Sequence, residues 1–515
     1  MEFTFNTILE NNARNIPDDE AVIFDDSRGT YGQILSRVYM RANALHQLGI
    51  KKGDHVAVLS THSMDLVETL FAIWQVGAVF VPLNFRHSSE ELVYVLNHSD
   101  ADTIIFQRNF ADIVKSIKSE TKNLERFLVL GTTDTDDFLD LNKETEKQPA
   151  ESLEVEVSEN DLATIIYTSG TTGHPKGVMA SHKNYTWACM SAIMTIGPIS
   201  GSLGYIDTKL KLLMSGPFFH VGGLINFLYN YMYGAPVILM KKFDPVENLR
   251  WIEREKVQRL QGVATLYSML LIAPDIEKYD LSSVLLLGSG AETMPDVTRK
   301  SLAEVFPNSG ISEGYGMTES MGIISSRLPE ETAARPYSVG KAAPLVSVKV
   351  VDEKGNEVPR GEVGEIIVQG PNVMIGYYKD PEKTADAIRE GWLWTHDLGS
   401  MDQEGYLYIV ERKNDMIKSG GENIYPKEIE DVIYKHEKIA ETAVYGVPDP
   451  IWGQKIHAAV VLKPGAEMSS EEVIEFCQAN LASFKKPKFV EFLDDLPRSP
   501  VGKILRKKLR ARFES

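Results

Sequence analysis

Residues 167–177 read Tyr-Thr-Ser-Gly-Thr-Thr-Gly-His-Pro-Lys-Gly. Gly170, Gly173 and Gly177 carry no Cβ, so backbone N–H groups in this stretch can approach a polyanion closely. Thr168, Ser169, Thr171 and Thr172 add hydroxyl donors, and Lys176 adds a point charge. Together these groups suit the phosphates of a nucleotide. The spacing G-x-x-x-x-G-K-S/T is absent, so the loop is not of that phosphate-binding kind. Taken without context, the same residues also suit a flexible surface turn.

A loop of this type needs rigid elements behind it. Residues 162–166 form a short apolar run that reads as a buried strand, which places the loop at a strand end, where α/β folds bind ligands. The first 150 residues alternate short strands with helical patterns, for example 56–60, a helix around 64–76, and 79–82. That alternation predicts parallel βαβ construction. Acidic and polar residues over 133–160 read as a surface connection. Further βα units are expected at 237–240 with 249–255, and at 284–287 before a loop Gly288-Ser289-Gly290-Ala291-Glu292. Hairpin patterning follows over 346–368, with strands at 348–351 and 365–368 around a turn at 352–356. Near Asn414 the chain restarts with helices (426–436, 470–481) and strands (442–447, 457–462). The expected fold class is therefore α/β. A large N-terminal domain, 1–413, holds βαβ subdomains plus a small β-rich subdomain, and a small α+β C-terminal lid domain spans 414–515.

At 515 residues the chain exceeds one ordinary core. A formal charge of −18 argues against a nucleic-acid surface. Cys189 and Cys477 suggest neither a disulfide framework nor a cysteine metal site. No secretory signal is visible at the N-terminus, so a cytoplasmic enzyme is expected. Residues 212–240 lack Asp, Glu, Lys and Arg over a length that could span a bilayer. However, Pro217, Gly222, Gly223, Asn226, Asn230, Gly234 and Pro236 interrupt the segment, so a strand, a loop, a buried helix and a second strand are expected instead of an integral membrane segment.

Five further motifs follow the loop in order: Phe218-Phe219-His220-Val221-Gly222-Gly223, Tyr315-Gly316-Met317-Thr318-Glu319, Trp394-Thr395-His396-Asp397-Leu398-Gly399, Glu411-Arg412-Lys413-Asn414-Asp415 and Pro497-Arg498-Ser499-Pro500-Val501-Gly502-Lys503. With the loop, they resemble the adenylate-forming superfamily of acyl-CoA synthetases, peptide-synthetase adenylation domains and beetle luciferases. The resemblance covers essentially the whole chain. It implies that Thr168, Ser169, Gly170, Thr171, Thr172, Gly173 and Lys176 surround ATP or AMP with Gly290, Ala291, Glu292, Gly314, Tyr315, Gly316, Met317 and Thr318. It further implies that the Tyr315 ring packs on adenine, Thr318 contacts the α-phosphate and Glu319 helps to hold Mg²⁺. By the same resemblance Asp397 takes the ribose hydroxyls, Arg412 is shared between ribose and phosphate, and Lys503 is the C-terminal catalytic lysine. His220 stands either as a gate to the acyl pocket or as part of its wall.

The physical roles agree with these assignments. Adenylation joins a carboxylate to an α-phosphate, two anions that repel, so the site must neutralise charge and align attack. Mg²⁺ takes one or two carboxylates plus phosphate oxygens. A flexible lysine bridges two anions more readily than a planar guanidinium, and a carboxylate accepts from several hydroxyls. Each residue also has a plainer reading: Glu319 as a helix N-terminal charge, Asp397 as a turn residue, Arg412 as a surface ion pair.

Within the superfamily, Ser419-Gly420-Gly421-Glu422 resembles the acyl-CoA synthetase loop lining the pantetheine tunnel, and Trp452 resembles a tunnel-wall aromatic. Phe484, Lys486 and Lys488 resemble the patch that holds the coenzyme A nucleotide. Asn414 falls at the family's hinge, where Asp or Lys is more usual, and the lid is expected to rotate there. The resemblance thus implies an AMP-forming acyl-CoA synthetase using a small-molecule carboxylic acid, ATP, Mg²⁺ and coenzyme A. Two alternatives stay open: the same site run toward ATP, or a nucleotide-binding homologue without turnover. Monomer and homodimer also stay open. The acyl pocket is expected to draw on Trp187, His220, Val221, Gly222, Gln261, Gly290, Gly316, Met321 and Gly322. Most of these are apolar or small, so an apolar tail is expected, with no buried cation awaiting a second carboxylate and with Trp187 favouring a ring or medium chain.

Overall fold

Short buried strands and amphipathic helices alternate along most of the chain in the computed structural model. It describes residues 2–513 except 132–136, 169–174, 197–209, 292–293, 333, 414, 420–421 and 499–503. The architecture is α/β and divides into two compact units, one of 1–348 with 368–393, the other of 349–367 with 394–515. The boundary at 413/414 expected from the sequence falls inside the second unit.

The first unit contains two sheets. In one, His55–Leu59 lies between Val79–Pro82 and Thr103–Gln107, all parallel, and Arg126–Leu130 extends the parallel run. Beyond Val79–Pro82 come Leu162–Thr168, Lys176–Ser181 and Gly376–Tyr377. The other sheet runs Gly310–Tyr315, Leu286–Gly290, Arg259–Gly262, Leu212–Met214, Val237–Leu239, Glu20–Phe24, again parallel throughout. Strands buried on both faces read as apolar runs, which is how the sequence shows them.

The helix Met64–Gln75 is buried along nearly its whole length. Ser63 caps it by accepting from Leu66 N. Its Glu68 is 1 % exposed and is tolerated because Arg41 and Arg37 lie 3.0 and 2.5 Å from its carboxylate. The charge-free segment resolves into the strand Leu212–Met214, the helix Val221–Met232 and the strand Val237–Leu239. Among the described residues no helix is long and apolar enough to cross a membrane.

Two expectations need correction. The stretch 133–160 is more than a surface connection. Its described part includes the strand Leu139–Asp140 and the helix Leu141–Glu146, capped by Asp140, with Leu141 and Thr145 buried. Asn142 Oδ1 accepts from the buried Arg41 at 3.0 Å, which anchors the segment to the core. Second, Gly288, Ser289 and Gly290 lie in the strand Leu286–Gly290, not in a loop. Parallel partners on both sides, Gln261 opposite Gly288 and Glu313 opposite Ser289, hold their backbone in the ladder.

In the second unit the strands Ser347–Val351, Gly364–Gln369, Trp392–Met401 and Tyr406–Arg412 neighbour one another in that order. A further sheet of Glu422–Ile424, Ile417–Ser419, Gly453–Leu462 and Ile439–Asp449, with Phe489–Phe492 added in parallel, carries the helices Pro426–Ile433 and Ser470–Asn480. Ile417, Ile429, Ile433, Val444, Val460 and Cys477 fill that core.

Candidate active site

Leu162–Thr168 and Lys176–Ser181 form an antiparallel hairpin whose last rung pairs Thr168 with Lys176. Ser169, Gly170, Thr171, Thr172 and Gly173, which close it, lie outside the described residues. Gly177 is required where it stands, because a Cβ there would come within 2.7 Å of Ile165 Cγ2. Tyr94 OH donates to Pro175 O at 3.2 Å and fixes the descending arm.

The strand Gly376–Tyr377 pairs with Lys176–Ser181 and sets Tyr377 opposite Val178. The Lys176 ammonium then lies 4.7 Å from the Tyr377 ring centroid. On its other side, Tyr377 OH donates to Glu319 Oε1 at 2.8 Å. Burial, reinforced by Glu319, pushes the phenol well above its usual range, so it stays a donor. Asn372 Nδ2 donates to Ser320 O and Ile323 O at 2.9 and 2.8 Å, and Met374 N donates to Glu319 O at 2.8 Å. One segment therefore clamps the turn bearing Glu319 and carries the aromatic ring beneath Lys176. Sequence reasoning did not single out Tyr377. The only local signal is the aromatic pair after Gly376.

The strand Gly310–Tyr315 runs directly into that turn. Gly322 N donates to Met317 O at 2.9 Å and Ile324 N to Tyr315 O at 2.8 Å, which closes a loop around Thr318 and Glu319. Met321 (φ +49°) and Gly322 (φ +84°) occupy the left-handed region, and a Cβ on Gly316 would overlap the Gly322 carbonyl. Gly290 pairs with Gly314 in the adjacent strand, and Ala291 follows at φ +66°. Gly290, Ala291, Gly314, Tyr315 and Gly316 thus gather at the C-terminal ends of two parallel strands. Glu292 lies outside the described residues.

His220 caps the helix Val221–Met232: Gly222 N donates to its Nδ1 at 3.1 Å, which leaves that nitrogen unprotonated. A Cβ on Gly322 would lie 3.4 Å from Ile225 and 3.9 Å from Val221, so the glutamate-bearing turn packs on this helix. Gln261 lies flat against Gly288, where a Cβ would overlap Gln261 Oε1. Trp187 is half-buried on the helix His182–Ile196, which packs against Val221–Met232. A buried cation nonetheless lies beside these residues. Arg259, two residues before Gln261, is 3 % exposed, and its guanidinium sits 4.4 Å from the Tyr229 ring centroid.

In the second unit, Asp397 and Arg412 are register partners on adjacent strands, joined Oδ1 to Nε at 2.7 Å. Asp397 is 2 % exposed, and its N–H donates to Thr395 Oγ1 at 3.1 Å. Lys413 Nζ lies 2.8 Å from Glu365, and His396 Nδ1 3.3 Å from it. Burial pushes the Glu365 carboxyl up, but these two partners outweigh it and hold it at about 2. Asn414, Gly420, Gly421 and Lys503 lie outside the described residues. Ser419 pairs with Glu422 and Gly453. Trp452 is exposed on a turn in which Asp449 Oδ1 accepts from Ile451 N and Trp452 N at 3.0 Å each. Phe484 is exposed too, Lys486 reaches Gln478 at 2.7 Å, and Lys488 is exposed.

Among the described residues no group of three or more His, Cys, Asp or Glu could cage a metal. A cation at Glu319 must take most of its ligands from a nucleotide and water, which fits Mg²⁺.

The lysine of a hairpin and a single carboxylate, meeting on one tyrosine near the ends of parallel strands, suit an adenylate-forming enzyme. The comparisons agree, and the chain belongs to the AMP-binding enzyme family: the family's model matches residues 9–378, and that of the AMP-binding enzyme C-terminal domain matches 428–503. The chain is 36% identical to a feruloyl-CoA synthase of Amycolatopsis sp over 97% of both chains. It is similar in structure to the anthranilate CoA ligase AuaEII solved with anthranoyl-AMP, with a TM-score of 0.89 and 28% identity over 99% of this chain and 97% of that one. It is also similar to the o-succinylbenzoate coenzyme A synthetase of Bacillus subtilis in complex with ATP and a magnesium ion, with a TM-score of 0.85 and 29% identity over 100% of both. The protein is an acid–thiol ligase of the AMP-forming type that uses ATP, Mg²⁺ and coenzyme A.

Tyr377→Phe keeps the ring beneath Lys176 and removes the hydrogen bond to Glu319. It is expected to raise the Mg²⁺ concentration for half-maximal ATP–pyrophosphate exchange about tenfold. An unchanged Mg²⁺ dependence would show that the phenol does not position Glu319.

Proposed function

We propose that this ligase activates an aromatic, alicyclic or medium-chain carboxylic acid. The acid carboxylate attacks the α-phosphorus of ATP, giving acyl-AMP and pyrophosphate. The coenzyme A thiol then attacks the acyl carbon and expels AMP. The tie of Glu319 to Tyr377, with Lys176 over the same ring, is the observation that carries the reading, because it sets a carboxylate and a cation on one aromatic side chain beside the hairpin.

In this reading, bound Mg²⁺ supplies charge neutralisation at the phosphates, held in part by Glu319. The hairpin hydroxyls and backbone grip the phosphates, Thr318 meets the α-phosphate, and Tyr315 offers its ring to adenine. Asp397 accepts from the ribose hydroxyls, and Arg412, already paired to it, orients it. The acid tail lies along Val221, Gly222, Gln261, Gly290, Met321 and Gly322, with Trp187 limiting its length. Support for a ring comes from relatives named for feruloyl and anthranilate substrates. Residues 1–413 bind the nucleotide and acid, and 414–515 form a lid that brings Lys503 to the first step and 419–422 to the second. The setting is read as cytoplasmic, and the charge of −18 speaks against a nucleic-acid partner.

A panel of carboxylic acids with ATP and coenzyme A, scored by AMP release, tests the substrate class. Ring and medium-chain acids are expected to outrun acetate and a sixteen-carbon acid, and Trp187→Gly to shift the preference toward longer tails in a graded way, since one methylene is worth about 1–3 kcal/mol. Best turnover on acetate or on the long chain would refute the class.

The half-reactions test the lid. Lys503→Ala is expected to cut acyl-AMP formation by several orders of magnitude and spare thioester formation from supplied acyl-AMP. Asn414→Pro, by fixing φ, is expected to do the reverse. Equal losses in both steps for either variant would remove it from its assigned role.

A further inference from the structure

Arg259 stands at the start of the strand Arg259–Gly262, and strand alternation puts it on the same face as Gln261. Leu260, between them, faces the opposite side and joins the core with Leu249, Ile252 and Leu287. Arg259 Nη1 donates to Asn230 Oδ1 at 2.8 Å, and Nη2 donates to Asn226 Oδ1 at 2.6 Å and toward Gln261 Oε1 at 3.4 Å. Its Nε is buried without a partner, and no carboxylate pairs with the guanidinium among the described residues. A buried cation held by neutral amides and the face of the Tyr229 ring, without a carboxylate, is a costly arrangement that packing does not require.

Its effect is on the amides. Because each side-chain oxygen is drawn to the guanidinium, each NH₂ group is turned away from it. Asn230 Nδ2 donates to Leu210 O at 3.0 Å, and Asn226 Nδ2 to Gly222 O at 2.8 Å. Gln261 is different: its Nε2 makes no hydrogen bond among the described residues. Gly288, in register beside it, leaves room for the amide to lie flat. Arg259 is buried, whereas Asn226, Gln261 and Gly222 are partly open to solvent even though they sit on interior elements. Gly288 and Gly290 share that face, so the Gln261 amide lies two residues deeper along the sheet than Gly290, about 7 Å. That depth matches one ring.

We propose that the acyl pocket ends in a hydrogen-bond donor, Gln261 Nε2, oriented by Arg259, and that the acid therefore carries an acceptor oxygen (hydroxyl, keto or carboxylate) on its ring opposite the activated carboxyl. This rests on the reading of Val221, Gly222, Gln261 and Gly290 as pocket residues. Gln261 touches the substrate, and Arg259 acts through it as a positioning residue.

The test uses the full enzyme and size-matched acids on benzoic, cinnamic and cyclohexane skeletons, each with hydroxyl, methyl or carboxylate at the far ring position. Relative kcat/KM is read from AMP release. The parent is expected to prefer an oxygenated acid over its methyl partner by at least about tenfold. Gln261→Leu is expected to abolish or invert that preference. Arg259→Met is expected to weaken it mainly through KM, and Arg259→Lys to restore part of it. A greater rate with the carboxylate than with the hydroxyl assigns an anionic acceptor, and the reverse a neutral one. Should Arg259→Met fail to fold, Gln261→Leu decides alone. Methyl and oxygenated partners within twofold of each other in the parent, or an unchanged preference in Gln261→Leu, overturn the inference. Absence of AMP release with every acid instead overturns the substrate class proposed above.

Discussion

A carboxylate that is to share a divalent cation with a nucleotide must be fixed in place without being neutralised. Glu319 is 9 % exposed, and the partner found for it is the phenol of Tyr377, not an ammonium or a guanidinium. A hydrogen bond to a charged acceptor contributes roughly 1.5–3 kcal/mol when formed, and it leaves the negative charge available to a metal. Lys176 is kept on the face of the same ring, 4.7 Å from its centroid, instead of against the carboxylate. The tyrosine thus holds the two opposite charges of the site apart, at distances that a direct ion pair would collapse.

The surrounding structure follows from that requirement. Tyr377 is placed by a two-residue strand on the phosphate hairpin, and Glu319 by a turn closed between Tyr315 and Ile324. Asn372 ties the two together through carbonyls on both sides of that turn. The left-handed conformation of Met321 is the strain this closure entails, located where a site is built and not within a strand, and Gly322 takes its positive φ without that cost. Parallel strands ending side by side supply the glycines that leave room for a ligand.

Local chemistry was legible in the sequence. The breakers in 212–240 correctly predicted strand, helix and strand, and the apolar run before the hairpin is a buried strand. Spatial pairing was not. Tyr377 lies 58 residues from Glu319, and nothing near Gly376 marks it as a partner. Asp140, Leu141 and Asn142 were lost within an acidic stretch because the contact that anchors them, Asn142 to Arg41, spans about a hundred residues of chain. Arg259 escaped for a related reason. One arginine at the edge of a short apolar strand looks like a solvent-facing charge, and its partners Asn226 and Asn230, one helical turn apart, carry no complementary charge to reveal it. Gly288 and Gly290 read as loop residues because their strand pairing is decided by neighbours on both sides.

The account depends on a carboxylate oxygen of the acid becoming bonded to the α-phosphorus of ATP. Turnover of an acid whose carboxylate carries heavy oxygen, in the presence of coenzyme A, reads that bond directly by mass spectrometry of the products. One heavy oxygen in AMP and none in pyrophosphate is the predicted result. Unlabelled AMP, or label in inorganic phosphate alongside ADP, would contradict it.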